Sequence, residues 1–388
     1  MKTAEESRSR GYRRLYMPKF SIIIPVYNVA PYLRECLDSV LAAAERLEVE
    51  GGRLEVEQRN LKNSSTTVQP STSNLQPDLV EIICVDDGST DGSGAILDEY
   101  AERLVGVGSG SGTEVVKFVV IHQANAGVSA ARNAALDVAT GEWIAFVDGD
   151  DVLLPNHLTE ICRLGEMEKD VDCVRLEWQT VRGEKPWAIE NEWDESAEKI
   201  EDVGRVLSAA WKSVSIAAMP FLYCFRRSVI ADTRFRVGVR FREDALFELE
   251  VFTRVKKLMV GSSKSYLYRR FDGAASYSQR RSDSRIFLSG LLDVWCKQKR
   301  QIGDLASARA ACTHLMNKDV TRWVRMCKDK TKGDLLSVAW ILWKAYFSGA
   351  LSPLILGKRR GFRLWAFMLT ASGHAFTFNV SAFLGRGA

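Results

Sequence analysis

The sequence predicts an α/β fold, a mostly parallel sheet flanked by helices and followed by a helical region. Three observations carry this expectation. Between residues 20 and 150, short β-branched apolar runs alternate with amphipathic helical segments, and such alternation builds parallel sheets with helices on their faces. Two of these runs stop abruptly in acids, "VDDGSTDGS" from Val85 and "FVDGDD" from Phe146, at the strand ends where ligands of such sheets bind. Hydrophobic residues make up 46% and charged residues 26%, which fits a packed chain rather than a disordered one.

Each element has its own signal. Residues 1–18 are polar and basic, and read as a flexible arm. "FSIIIPVYN" (20–28) is a buried strand stopped by Pro25 and Asn28. "PYLRECLDSVLAAAERL" (31–47) is a helix, with Leu33, Leu37, Val40, Leu41 and Ala44 at helical spacing and Pro31 in its first turn. From 48 to 78 the pattern lapses into low complexity around "NSSTTVQPSTSN", which predicts a flexible surface insertion. A second strand starts at 79, a helix covers 94–104, and "GVGSGSG" (106–112) is a loop. That loop follows a helix and precedes a strand, the wrong context for a phosphate-binding glycine loop. "VVKFVVIHQ" (115–123) is the third strand, "GVSAARNAALDVA" (127–139) a helix, and "EWIAFVDGD" (142–150) the fourth strand. Further on, 171–176 and 264–271 read as strands, and 235–255 runs from a loop into a helix. Several helices and no strands are expected after Arg285.

At 388 residues the chain is longer than one average domain. The expected division is the arm, a main domain at 19–280 and a helical C-terminal region at 281–388. The eight cysteines form no CxxC pair, so reduced buried thiols are expected, with neither a zinc site nor a disulfide framework. No apolar run precedes Phe20, so no signal peptide is expected. Four histidines stand without an HExxH or HxxxH pair, and no GxSxG or Walker A pattern is present. The net charge is +4, and no acid follows Asp334, whereas Lys344, Lys358, Arg359, Arg360, Arg363 and Arg386 do.

The "DGDD" cluster is the sharpest chemical feature. Asp148, Asp150 and Asp151 repel one another and are costly to desolvate at the end of a buried strand, so a positive charge is expected to offset them. The alternative is a solvated turn, with Asp150 or Asp151 capping a helix that begins near Leu154. Ser89, Thr90 and Asp91 are likewise placed to cap the helix that follows them.

Four blocks in order, "SIIIPVYN", "VDDGSTDGS", "ANAGVSAARNAAL" and "FVDGDD", with "REDALF" further on, closely resemble family 2 glycosyltransferases. The resemblance covers roughly residues 18–275. It implies the GT-A fold, a Rossmann-like sheet, and transfer of a sugar from a nucleotide-diphosphate donor, usually with inversion, in bacterial surface-polysaccharide assembly. Asp148-Gly149-Asp150 matches the family's DxD motif. Asp150, with Asp148, would then hold Mn²⁺ or Mg²⁺ together with the donor phosphates, and Gly149 would let the chain approach the nucleotide. Pro25 and Tyr27 fall at the base-stacking position and Asp87 where a carboxylate accepts from the uracil imide, which implies a UDP-sugar. Asp86 contacts ribose or orients its loop. Gly127, Arg132 and Asn133 fall near the nucleotide, with Arg132 either touching the donor or pairing with the DGD acids. Asp244 would be the general base and Glu243 its neighbour. Arg270, or Arg269 beside it, would reach the diphosphate.

The 48–78 insertion departs from the family pattern without touching a motif. The QxxRW motif and membrane spans of processive members are absent, so one sugar is added per turnover. The implied acceptor is a glycan or a polyprenyl-linked glycan at the cytoplasmic membrane, with no nucleic acid partner. The aromatic and basic stretch at 335–378 fits a peripheral contact with that membrane; the alternative is a helix pair packed on the main domain. Two other readings are a non-catalytic nucleotide-sugar-binding scaffold and a sugar nucleotidyltransferase. The latter would need a glycine-rich basic loop that "PVYNVAPY" does not offer.

Overall fold

The structure is a computed structural model that describes residues 20–62, 80–107, 116–182, 197–200, 219–239, 242–270, 284–300 and 332–352, with isolated positions between 301 and 331. The expected basic arm, "NSSTTVQPSTSN", the glycine loop from 108 and the KRRGFR cluster lie outside the described residues.

Four parallel strands form one half of the main sheet: β1 (Phe20–Val26), β2 (Val80–Asp86), β3 (Val116–His122) and β4 (Trp143–Phe146). Their spatial order is β3-β2-β1-β4, with Phe20 opposite both Val80 and Trp143. β1, β2 and β4 are buried on both faces, as expected of near-continuous apolar runs in a parallel sheet. The chain steps outward from β1 to β3 and then returns to lay β4 on the other side of β1. This reversal opens a crevice at the carboxyl ends of β1 and β4.

Between the strands run α1 (Ala30–Lys62), α2 (Ser93–Val107) and α3 (Val128–Val138). α1 buries Leu33, Leu37, Val40, Ala44 and Leu47. It continues to Lys62, through the first half of the expected insertion. Glu, Leu, Arg, Gln and Lys there are strong helix formers and carry the helix past Gly51 and Gly52.

Beyond β4 the chain forms β5 (Val152–Leu153), α4 (His157–Met167), β6 (Cys173–Arg175), β7 (Trp178–Val181), β8 (Ala197–Ile200) and β9 (Tyr223–Arg226). A short helix α5 (Arg227–Ile230), helix α6 (Glu243–Val251), β10 (Leu258–Gly261) and β11 (Tyr266–Arg269) follow. β9 pairs antiparallel with β4 and extends the main sheet through β6, β10 and β8. β5, β11 and β7 form a second, small sheet. α7 (Ser284–Gln298) packs on α6, and α8 (Lys332–Ser348) packs on α7. Among the described residues no helix is long and apolar enough to cross a membrane.

An aromatic block fixes α6 against β4. Phe235 stacks on Phe247 with centroids 3.9 Å apart, and Phe146 meets both rings edge-on at 5.5 and 5.8 Å. The first turn of α6 is thereby held beside the end of β4.

One buried carboxylate ties the opposite end of the sheet. Glu81 accepts from the Ser21 hydroxyl, the Thr140 N–H and hydroxyl, and the Gly141 N–H. Burial alone would raise its pKa, but these donors outweigh burial and hold it below 4.5. Glu81→Ala takes the acceptor from the buried Ser21 hydroxyl and from both Thr140 donors, leaving the Gly141 N–H only Ser21 Oγ, and is expected to cost about 2–4 kcal/mol in denaturant unfolding. The wild-type contribution is present above the unfolded value of 4.5 and fades as pH falls below it.

Candidate active site

The crevice at the ends of β1 and β4 holds a cavity of about 580 Å³. Its wall includes Pro25, Tyr27, Asp87, Gly127, Arg132, Asp148, Gly149, Asp150 and Glu243, drawn from the ends of β1, β2 and β4 and the starts of α3 and α6. The mixture of one exposed aromatic (Tyr27, 37% exposed), several backbone groups and four carboxylates suits a polar, elongated ligand.

The loops around the cavity are laced to one another. Asn28 has φ 53, its N–H donates to Ser89 Oγ at 3.1 Å, and its Oδ1 accepts from the Thr90 N–H at 2.8 Å. Asp91 accepts from the Ala30 N–H at 2.9 Å and the Ser93 N–H at 3.0 Å, so it serves the starts of both α1 and α2.

Asp86 and Asp87 part company. Asp86 is absent from the cavity wall. It accepts from the Ser89 N–H at 2.9 Å and meets His122 Nδ1 at 3.0 Å, and His122 Nε2 lies 3.0 Å from Asp98. Burial opposes ionisation of Asp86, but the Ser89 and His122 bonds lower its pKa, and Asp86 and then Asp98 raise that of His122. Asp86 therefore orients its loop and is not placed to touch a ribose in the cavity. Asp87 is on the wall. Its Oδ1 accepts from Gln123 Nε2 at 2.7 Å and the Ala126 N–H at 2.8 Å, and its Oδ2 from the Gly127 N–H at 2.8 Å. Gly127 has φ 92, which favours glycine, and its Cα faces open space.

Arg132 is 4% exposed and bridges two acids. Its Nη2 donates to Asp148 Oδ1 at 2.9 Å, and its Nη1 lies 3.5 Å from Glu243 Oε1. It joins the end of β4 to the start of α6. Asn133 does not reach the cavity: its amide exchanges two 2.8 Å bonds with the Phe235 backbone.

The DGDD turn separates into different tasks. Asp148 and Asp150 face the cavity. Burial, and then the charge of Asp148, push Asp150 up to about 6. Gly149 lies against β1, where an added Cβ would sit 3.2 Å from Val29 Cγ2 and 3.3 Å from the Pro25 carbonyl. Its lack of a side chain seats the turn on β1 as well as opening the wall. Asp151 is fully buried and caps no helix; α4 begins at His157 behind Asn156. Its carboxyl accepts from the Tyr266 hydroxyl and the Arg269 N–H, both at 2.7 Å. Burial and the neighbouring aspartates hold Asp151 well above the usual carboxylate range.

β11 thus grips the turn from behind. The Tyr266 hydroxyl also accepts from the Asp148 N–H at 3.2 Å, and Arg269 Nε donates to the Asp150 carbonyl at 2.8 Å and Nη2 to Glu35 at 2.5 Å. Arg270, expected at the diphosphate, follows the last residue of β11 and is exposed and off the cavity wall. Tyr266→Phe removes the hydroxyl that joins the Asp148 N–H to the buried Asp151 carboxyl and is expected to cost about 1–3 kcal/mol in denaturant unfolding.

At α6, Glu243 is on the wall and Asp244 is not, although the two are adjacent. Burial raises both. Arg132 pulls Glu243 back, whereas the charge of Glu243 adds to the rise of Asp244. Arg242, immediately before, is in the left-handed region with φ 64. The wall also includes Val128, beside Gly127 in the third block, and Val237, Gly238 and Val239, which no sequence motif singled out; the exposed Val128 and Val237 form an apolar lip beside Tyr27.

Among the described residues no group of three or more His, Cys, Asp or Glu side chains could hold a metal ion. Asp148 and Asp150 nonetheless fit a shared site. Two hard oxygen donors on one wall, one of them raised by burial and by the other, suit a divalent cation that completes its shell with diphosphate and water.

Comparison with known proteins agrees with this geometry. Residues 62–229 match Glycosyl transferase family 2. The chain is 26% identical to glycosyltransferase EpsJ of Bacillus subtilis across 65% of its own length and 61% of that protein's. It is 25% identical to GlyA of Streptococcus pneumoniae across 66% of its own length, but spans only 31% of GlyA. Among solved structures it superimposes on Staphylococcus aureus TarS 1–349 in complex with UDP with a TM-score of 0.59, at 17% identity, covering 94% of this chain and 89% of that one. A TarS 1–349 complex with UDP-GlcNAc gives 0.57 at 17% identity, covering 91% and 89%. The matched stretch, the β3-β2-β1-β4 order and the acidic turn at its switch point agree: the chain has the GT-A fold, and its residues 62–229 are similar to glycosyl transferase family 2.

Proposed function

We propose that the protein is an inverting glycosyltransferase that moves one sugar from a UDP-sugar to a hydroxyl of a glycan or lipid-linked glycan, in surface-polysaccharide synthesis on the cytoplasmic side of the membrane. The observation that carries this reading is one cavity lined together by Tyr27, Asp87, Asp148 and Asp150. Its support from relatives is that TarS, of the same fold, is known in complex with UDP and UDP-GlcNAc.

Tyr27 offers its ring to the base. Asp87 Oδ2, which accepts one protein N–H, has a lone pair left for the uracil imide. Asp148 and Asp150 would hold Mn²⁺ or Mg²⁺, which neutralises the charge that builds on a departing diphosphate. Arg132 stays between Asp148 and Glu243 and fixes the distance from the diphosphate end to the acceptor end. Asp244, its pKa raised by burial and by Glu243, takes the proton of the attacking hydroxyl. Attack from the face opposite the diphosphate inverts the anomeric centre.

Calorimetric titration of UDP with and without Mn²⁺ tests the reading. Metal-dependent binding of UDP in preference to GDP and ADP is expected. Binding of another nucleotide in its place overturns the uracil assignment of Tyr27 and Asp87, and no nucleotide binding at all overturns the transferase reading.

A further inference from the structure

We propose that the outward face of α8 docks on an anionic phospholipid bilayer. The inference stands on α8 and does not depend on the donor cavity. The inner face of this helix is spent on the fold, with Val338, Ala339, Leu342 and Ala345 fully buried. A helix packed in this way normally turns charged side chains outward. α8 turns out Ser337, Trp340, Lys344 and Phe347, and Trp340 and Phe347 are 63% and 79% exposed. Phe347 stacks on Trp343 with centroids 5.7 Å apart, and the Lys344 ammonium lies 5.4 Å from the Trp340 ring centroid. The result is an aromatic ridge with a cation set in it, which no contact among the described residues covers.

The chemistry of the ridge selects its occupant. Tryptophan rings favour the headgroup level of a bilayer, and a lysine beside them extends its ammonium to the phosphates. Charge selects an anionic surface: after Asp334, in the first turn of α8, no acid follows in the sequence, while Lys344 and five later Lys or Arg residues are cationic. α8 has 17 residues, with Lys344 within the ridge, so it lies along a surface rather than through it.

The test is co-sedimentation of the full chain with vesicles of phosphatidylglycerol and phosphatidylcholine, and with phosphatidylcholine alone. Binding to the anionic vesicles is expected, weakening as salt rises. Trp340→Ser with Phe347→Ser is expected to lower it about a hundredfold, roughly tenfold for each large apolar side chain withdrawn from the interface. Lys344→Glu is expected to lower it about fivefold or more. Both variants remove exposed groups, so melting temperature and UDP titration are expected to match the wild type. The proposal is overturned if the wild type ignores anionic vesicles, if it binds neutral ones equally well, or if the double variant binds undiminished. It is equally overturned if the wild type self-associates without binding vesicles and the double variant is monomeric, since the occupant is then a second copy.

Discussion

Asp150→Asn is expected to lower kcat by roughly a thousandfold and to abolish the metal dependence of UDP binding, while making the ligand-free protein more stable. Both effects have one cause. Burial, and then Asp148, push Asp150 from 3.8 up to about 6, so at neutral pH the fold holds an ionised carboxylate in a place that disfavours it. The sign follows from proton binding. Between about 4 and 6 the native state binds more protons than the unfolded chain, so this group makes stability fall as pH rises through that window. A shift of about two pK units is worth up to about 3 kcal/mol. Partial exposure trims that, and asparagine is expected to return about 1–2 kcal/mol in denaturant unfolding at pH 7. For the wild type, kcat/KM is expected to drop as pH falls through about 6, because the free enzyme must bring Asp150 ionised to the donor and its cation. A variant that keeps metal-dependent UDP binding would remove Asp150 from the metal site. One that loses activity together with stability would mean that the residue is structural.

The parts of this site legible in the sequence are those that depend on chain order. Strand alternation dictated four parallel strands, and the switch point between β1 and β4 then brought Tyr27 and the DGDD turn to one crevice. What sequence alone did not resolve depends on which way a side chain turns. Asp86 and Asp87 are neighbours in one acidic motif, yet one bonds His122 and the other faces the cavity. Arg269 ends β11 and Arg270 follows it, and the buried Arg269 supports the turn from behind. Asp151 looked like a helix cap because its true partners, Tyr266 and the Arg269 N–H, come from a strand more than a hundred residues downstream. β9 was missed for a related reason. Four residues, "YCFR", carry no periodicity of their own, and their strand state comes from antiparallel pairing with β4 and β6. The end of α1 was misjudged because the apolar periodicity lapses after Leu47, whereas summed helix propensity over the following turns prevailed.

The second large effect separates the two acids at the start of α6. Asp244→Asn is expected to lower kcat by about 10²–10⁴-fold with UDP affinity unchanged, the range for loss of a general base that acts on the acceptor and not on the donor. Glu243→Gln is expected to act differently. Glu243 lies on the cavity wall beside Arg132, and its charge is one of three, with Asp148 and Asp244, that offset that buried guanidinium. Removing it leaves Arg132 to Asp148 and Asp244 and lifts part of the electrostatic pressure on Asp244, whose pKa is raised first by burial and then by Glu243. The acidic limb of the pH profile of kcat, measured with donor and cation already bound at Asp150, reports the base and should therefore move to lower pH in Glu243→Gln, while kcat at neutral pH falls less than in Asp244→Asn. Both single variants, measured for kcat, KM and UDP affinity across pH, decide the assignment. A profile that keeps its limb in Asp244→Asn and loses it in Glu243→Gln would make the wall residue the base, with Asp244 setting the basicity of Glu243 from behind.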